Sequence, residues 1–227
     1  NNLRNFDRDR VLLFDEKQVF DQVIEEGEFP LFSNSYLLLI GKKPQTVYAK
    51  FSNDRAKAWA IRTLIHKSAA GTFLVEKQPN DKEANAHIVH TYQAYEALSR
   101  RYEGTKVQMN ECKRTPQSIV FPFCPGKTLE ELLDERLDEQ DAEGFRKLIE
   151  EYMYWLSYNE DANISNIDFI FPNILVDGDT WHVIDYEWTF DRKVPAKDIA
   201  FRAFYNYLLG GEGRKACEEL VLIAVGS

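Results

Sequence analysis

A chain of 227 residues with 44% hydrophobic and 29% charged residues has enough material for one large domain or two small lobes around a proper core. Its net charge of −9 argues against a nucleic-acid reader, which gathers lysine and arginine against phosphate, and no apolar run approaches the roughly 18 residues of a membrane span. Three widely spaced cysteines, Cys112, Cys124 and Cys217, suit neither a disulfide framework nor a cysteine zinc site, and fit a reducing, cytoplasmic setting. The start, Asn1-Asn2-Leu3-Arg4, has neither an initiator methionine nor an apolar leader core, so a longer multidomain chain is expected.

Residues 8–28 read as a charged helix running into a loop at Gly27 and Pro30. Ser35 to Ile40 reads as a buried strand. Thr46 to Phe51 alternates as a strand does, Asn53-Asp54-Arg55 turns, and Ala58 to Ile65 returns as the second arm of a hairpin. Thr72 to Lys77 is a third strand. Pro79-Asn80-Asp81 then stops the chain and caps a long helix from Lys82 to about Gly104, on which Ala84, Ile88, Thr91, Tyr95 and Leu98 recur at helical spacing.

Strands are expected over 105–111 and 117–123, followed by a break at Pro125-Gly126. Thr128 and Glu131 form a capping box that opens a helix to about Leu137. A second helix over 141–157 carries Phe145, Leu148, Ile149, Tyr152, Met153 and Leu156 on one face. Ile174 to Val176, the turn Asp177-Gly178-Asp179, and Trp181 to Asp185 make a short hairpin. Helices are expected over 197–209 and 213–224. Strands first and helices after them read as α+β. The division expected is residues 1–34 as a linker or the tail of an upstream domain, 35–124 as a β-rich lobe and 125–227 as an α-helical lobe.

Asn173 and Asp185 sit at the same end of the hairpin, and Asp168 reaches that point through a loop. Two carboxylates and an amide oxygen are hard donors of the kind Mg²⁺ takes. A carboxylate beside such an ion can orient or deprotonate a hydroxyl.

The run Asp168, four residues, Asn173-Ile174-Leu175-Val176, hairpin, Ile184-Asp185-Tyr186-Glu187-Trp188 resembles the protein-kinase-like superfamily, and its choline kinase and aminoglycoside-phosphotransferase branch in particular. The resemblance covers roughly residues 46–209 and implies a two-lobed kinase-like fold. It further implies ATP and Mg²⁺ as cofactors, Asp168 as catalytic base, and Asn173 and Asp185 as metal ligands. It asks for a phosphate-binding lysine, which is Lys77 at the end of the third strand, with Lys50 as the rival. It also asks for a helix glutamate to pair with that lysine, first Glu83 and second Glu96. Arg55 would reach the phosphates in place of a glycine-rich loop. Phe123 and Cys124, where a strand runs into the hinge, would face the adenine.

The chain departs from the family's pattern at Asn166-Ile167, where a histidine and an arginine or glycine usually stand, and in lacking the glycines. His87, one turn beyond Glu83, reads as a structural histidine. Val19 to Ile24 and Glu28 to Leu37 resemble the end of a bacterial methyltransferase domain fused to a sugar kinase, as in O-antigen chain-terminating proteins. The function implied is phosphoryl transfer to a hydroxyl of a small molecule or a glycan, with polysaccharide biosynthesis as the setting. A kinase-like scaffold that binds nucleotide or glycan without transfer, and a glycosyltransferase accessory region, are the competing readings.

Overall fold

The computed structural model describes residues 16–28, 31, 46–52, 54–68, 70–211 and 214. The chain divides into two units, Asn1–Pro44 and Gln45–Ser227. In the first, helix α1 (Glu16–Glu25) falls within the charged stretch expected to be helical. The strand expected at Ser35 to Ile40 lies outside the described residues, as does all but Arg214 of the helix expected over 213–224.

The second unit is mixed α+β. It begins with strands β1 (Thr46–Phe51), β2 (Ile61–Lys67) and β3 (Phe73–Pro79), each antiparallel to the next. The return strand starts at Ile61 rather than Ala58, because Lys57–Trp59 closes a 3₁₀ turn in which the Trp59 amide donates to the Ala56 carbonyl. After β3 the Asp81 carboxylate accepts from the Glu83 amide and opens a short 3₁₀ turn that leads into helix α2 (Asn85–Arg101). Strands β4 (Val107–Met109), β5 (Lys113–Arg114), β6 (Ile119–Pro122) and β7 (Lys127–Thr128) come next.

Thr128 caps helix α3 (Leu129–Asp138) with the expected capping box, and Asp141 caps helix α4 (Ala142–Ser157). The remainder is β8 (Ser165–Asn166), β9 (Ile174–Asp177), β10 (Thr180–Val183), β11 (Thr189–Phe190) and helix α5 (Ala196–Leu209).

Among the described residues the strands form a five-stranded sheet, β1-β2-β3-β6-β5, a four-stranded sheet, β4-β10-β9-β7, and the pair β11-β8. The β9/β10 hairpin has the expected register: Asp177 pairs with Thr180, and Gly178 takes φ +55° in the loop. At the Pro125-Gly126 break the glycine is required. Its φ is +135°, and a Cβ there would meet the Val176 carbonyl oxygen of β9 at 3.3 Å.

Helix α2 buries the stripe His87, Ile88, Thr91, Ala94, Leu98 and Arg101. Arg101 ends that stripe and ties the helix to the end of α4 and the loop beyond it. Its guanidinium donates to the carbonyls of Leu156, Tyr158 and Ile164 at 2.8–3.0 Å. Arg101→Ala strands those carbonyls and is expected to cost about 3 kcal/mol of stability in a urea titration. Arg101→Lys recovers only part of that, because an ammonium lacks the planar fork.

Aromatic packing fixes the loop between β8 and β9. Phe169 stacks on Tyr102 at 6.0 Å and on Tyr152 at 5.8 Å, and the Tyr152 hydroxyl donates to the Phe169 carbonyl at 2.8 Å. Phe171, fully buried, sits edge-on to Tyr152, Phe204 and Tyr207. These two rings clamp both sides of Ile170 into helices α4 and α5, and so set where Asp168 and Asn173 stand.

Candidate functional site

Lys77 lies on β3, an inner strand of its sheet, opposite Thr63 on β2 and Ile119 on β6. A lysine there has its backbone fixed on both sides, and its side chain is almost wholly buried. Its ammonium donates to Asp185 Oδ1 at 2.9 Å and to Glu187 Oε2 at 3.3 Å. Burial works against this charge, but the two carboxylates outweigh it and hold the lysine well above its ordinary value.

Glu187 is the hub of the network. It meets Lys77 through one oxygen, and Arg55 and His87 through the other, with His87 Nε2 at 2.8 Å. Burial penalises this carboxylate, yet the His87 hydrogen bond and the charges of Lys77 and Arg55 bring it down to about 2.

Asn173 ends the 3₁₀ turn Phe171–Asn173, and its carbonyl accepts from the Ile184 amide at 3.0 Å, so the hairpin closes beside it. Its side-chain amide donates to the Asp168 carbonyl at 3.0 Å, which leaves the amide oxygen as an acceptor. Asn166 joins the two loops. Its oxygen accepts from the Asp168 amide at 2.9 Å, and its nitrogen donates to the Asp185 carbonyl at 3.1 Å.

Asp168 is buried and receives Arg202 Nη2 of α5 at 3.0 Å. Burial, with repulsion from Asp185, pushes its carboxyl up to about 6 against the pull of Arg202.

A cleft of about 290 Å³ opens on this cluster. Val75, Phe121, Leu175 and Ile184 give it an apolar interior. Lys77, Arg55, Asn173 and Asp185 line it, as do Phe123 and Cys124 where β6 runs out. Lys50 also lines it, without displacing Lys77 from the ion-pair network. Asp168 is not part of the lining and joins the cluster through Asn166 and Asn173.

Glu83 is the sequence assignment that must be corrected. It stands exposed in the turn before α2, and the carboxylates at the Lys77 ammonium are Asp185 and Glu187. The reason is register. The side chain that α2 points at the network is one turn later, at His87, and a histidine cannot take a glutamate's place beside the lysine, so it holds Glu187 instead. The sequence signal was available, because His87 heads the same stripe as Ile88, Thr91 and Leu98. Glu187 was visible within the Asp185-Tyr186-Glu187 run but had no assigned partner, and nothing local in the sequence assigns Arg202 to Asp168.

No group of three or more histidine, cysteine or acidic side chains suited to a metal occurs among the described residues. What exists is one carboxylate, Asp185, about one-third exposed with both its side-chain contacts on Oδ1, and the Asn173 amide oxygen. Two protein oxygens suit an ion that keeps most of its water, as Mg²⁺ does. No known protein family matches the chain, and no curated protein does.

Proposed function

We propose that residues 46–209 form a protein-kinase-like phosphotransferase that moves a phosphoryl group from ATP to a hydroxyl of a small molecule or glycan. The observation that carries this is the convergence of Lys77, Asn173, Asp185 and Glu187 in a cleft, part polar and part apolar, whose lining also includes Phe121 to Cys124. An adenine needs the apolar part, and a polyphosphate needs the cationic part. Bound at Asn173 and Asp185, Mg²⁺ would neutralise phosphate charge. Lys77 and Arg55 supply further positive charge.

Asp168, raised to about 6, is matched to accept a hydroxyl proton near neutral pH. In that step the acceptor oxygen bonds to the γ-phosphorus, its proton passes to the Asp168 carboxylate, and the bond to the β-phosphate oxygen breaks to release ADP. Asn166, a departure from the family's usual histidine, still joins the Asp168 and Asp185 loops, which favours retained activity. No described helix is long and apolar enough to cross a membrane. A cytoplasmic site, with ATP at hand, suits the proposal, and a glycan-linked acceptor in polysaccharide biosynthesis is its narrower form.

The test is a screen of hydroxylated small molecules and oligosaccharides with Mg²⁺ and labelled ATP. ADP release that requires an acceptor and vanishes in Asp168→Asn is the expected result. Metal-dependent ATP binding without turnover on any acceptor would favour the scaffold reading. The Lys77 ammonium already held by Asp185 and Glu187 is the observation on that side.

A further inference from the structure

A second cavity, of about 560 Å³, lies on the other side of Glu187 from the cleft. Glu187 lines both spaces, so they share a wall there, and His87 lines the cavity. Its character differs from that of the cleft. Trp59, Trp188 and Phe190 supply aromatic surface, Glu83 and Asp191 bring two exposed carboxylates, and among the described residues no lysine or arginine lines it.

His87 is the second, independent mark. Its side chain is 1% exposed and packs against both indoles, 5.0 Å from Trp59 and 5.3 Å from Trp188, which are themselves 5.3 Å apart. Nε2 is engaged by Glu187, while Nδ1 is the single buried side-chain nitrogen or oxygen among the described residues that has no hydrogen-bond partner. A buried polar atom without a partner calls for a reason. In the tautomer that donates from Nε2, Nδ1 carries a lone pair and waits for a donor. The cavity's other histidine, His90, is already tied to the Thr189 carbonyl at 2.7 Å.

We propose that this cavity is a ligand site for a protonated amine carried on a flat apolar body, an arylalkylamine in its simplest form. Indole faces attract cations more strongly than other aromatic rings do, and more so where water is excluded. Trp188 holds the Arg55 guanidinium at 5.4 Å and Phe190 that of Arg192 at 5.3 Å, so the ligand's ammonium has to sit away from these two faces, toward the carboxylates. The apolar body fills the aromatic part, and the ammonium lies toward Glu83 and Asp191. An anion would meet the carboxylates of Glu83, Asp191 and Glu187, with no lysine or arginine among the described lining residues. The site is separate from the cleft and does not depend on phosphoryl transfer.

The test uses three probes with one carbon skeleton, namely phenethylamine, 2-phenylethanol and phenylacetate, titrated calorimetrically into the whole chain. The amine is expected to bind with one-to-one stoichiometry, about tenfold tighter than the alcohol, with no binding by the acid. The double variant Glu83→Gln/Asp191→Asn alters only exposed side chains and should keep its circular dichroism spectrum. In it the preference for amine over alcohol should collapse. The proposal is overturned if the amine does not bind, if amine and alcohol bind alike, if the acid binds best, or if the folded double variant keeps the full amine preference.

Discussion

Replacing Asp168 by asparagine is expected to cut the proposed phosphoryl transfer by orders of magnitude and, in the same protein, to raise stability. The two effects have one cause. Asp168 is buried, faces the like charge of Asp185, and among the described residues has one cationic partner, Arg202. A carboxyl raised to about 6 from an ordinary 3.8 is one the fold prefers to keep protonated. Its stabilising contribution is therefore complete below the ordinary value and is lost as pH rises through about 6.

Asparagine mimics the protonated form at every pH. With metal chelated, wild type and variant should be nearly equal at pH 4, and the variant should pull ahead by about 3 kcal/mol above pH 6. Catalysis should fall by about 10²- to 10⁴-fold, the usual worth of a positioned base. If the variant is less stable at neutral pH, Asp168 is a structural partner of Arg202 and the assignment of a base there fails.

Glu187→Ala should have the largest effect in the opposite direction. Removing this carboxylate takes an ionic partner from Lys77 and from Arg55, and the acceptor from His87 Nε2, at a point with almost no solvent. Breaking a buried ion pair from one side commonly costs about 3–5 kcal/mol, because the charge left behind is uncompensated. The urea midpoint should drop accordingly with little change in slope. Glu187→Gln keeps an oxygen for one donor and should lose about half as much. A loss below about 1 kcal/mol for the alanine variant would mean that the three donors are satisfied by water and that Glu187 is not the hub.

What could be read from the sequence, and what could not, divides along physical lines. The hairpin that sets Asn173 beside Asp185 follows from alternation and a glycine turn, both local signals. The Thr128–Glu131 box is likewise local, as is the apolar face of α4. Lys77 could be found because its strand and the helix after it are contiguous.

Glu187 and His87 were missed as partners because they lie 100 residues apart, and nothing local specifies which residue of α2 meets the segment after β10. Glu83 was preferred for its chemistry, but helix phase decided against it. The two-residue strands β5, β7, β8 and β11 are too short to carry a period, and only their partners define them. At Ala58 to Ala60 the residue types tolerate a strand, and the 3₁₀ turn that replaces it brings Trp59 against His87.

The most direct measurement of the central claim is calorimetric titration of ATP into the folded chain with and without Mg²⁺, repeated on Asp185→Asn. The proposed function predicts saturable binding that strengthens with the metal, and loss of that metal dependence in the variant. A folded wild type that takes no ATP at millimolar concentration, with or without Mg²⁺, would contradict it.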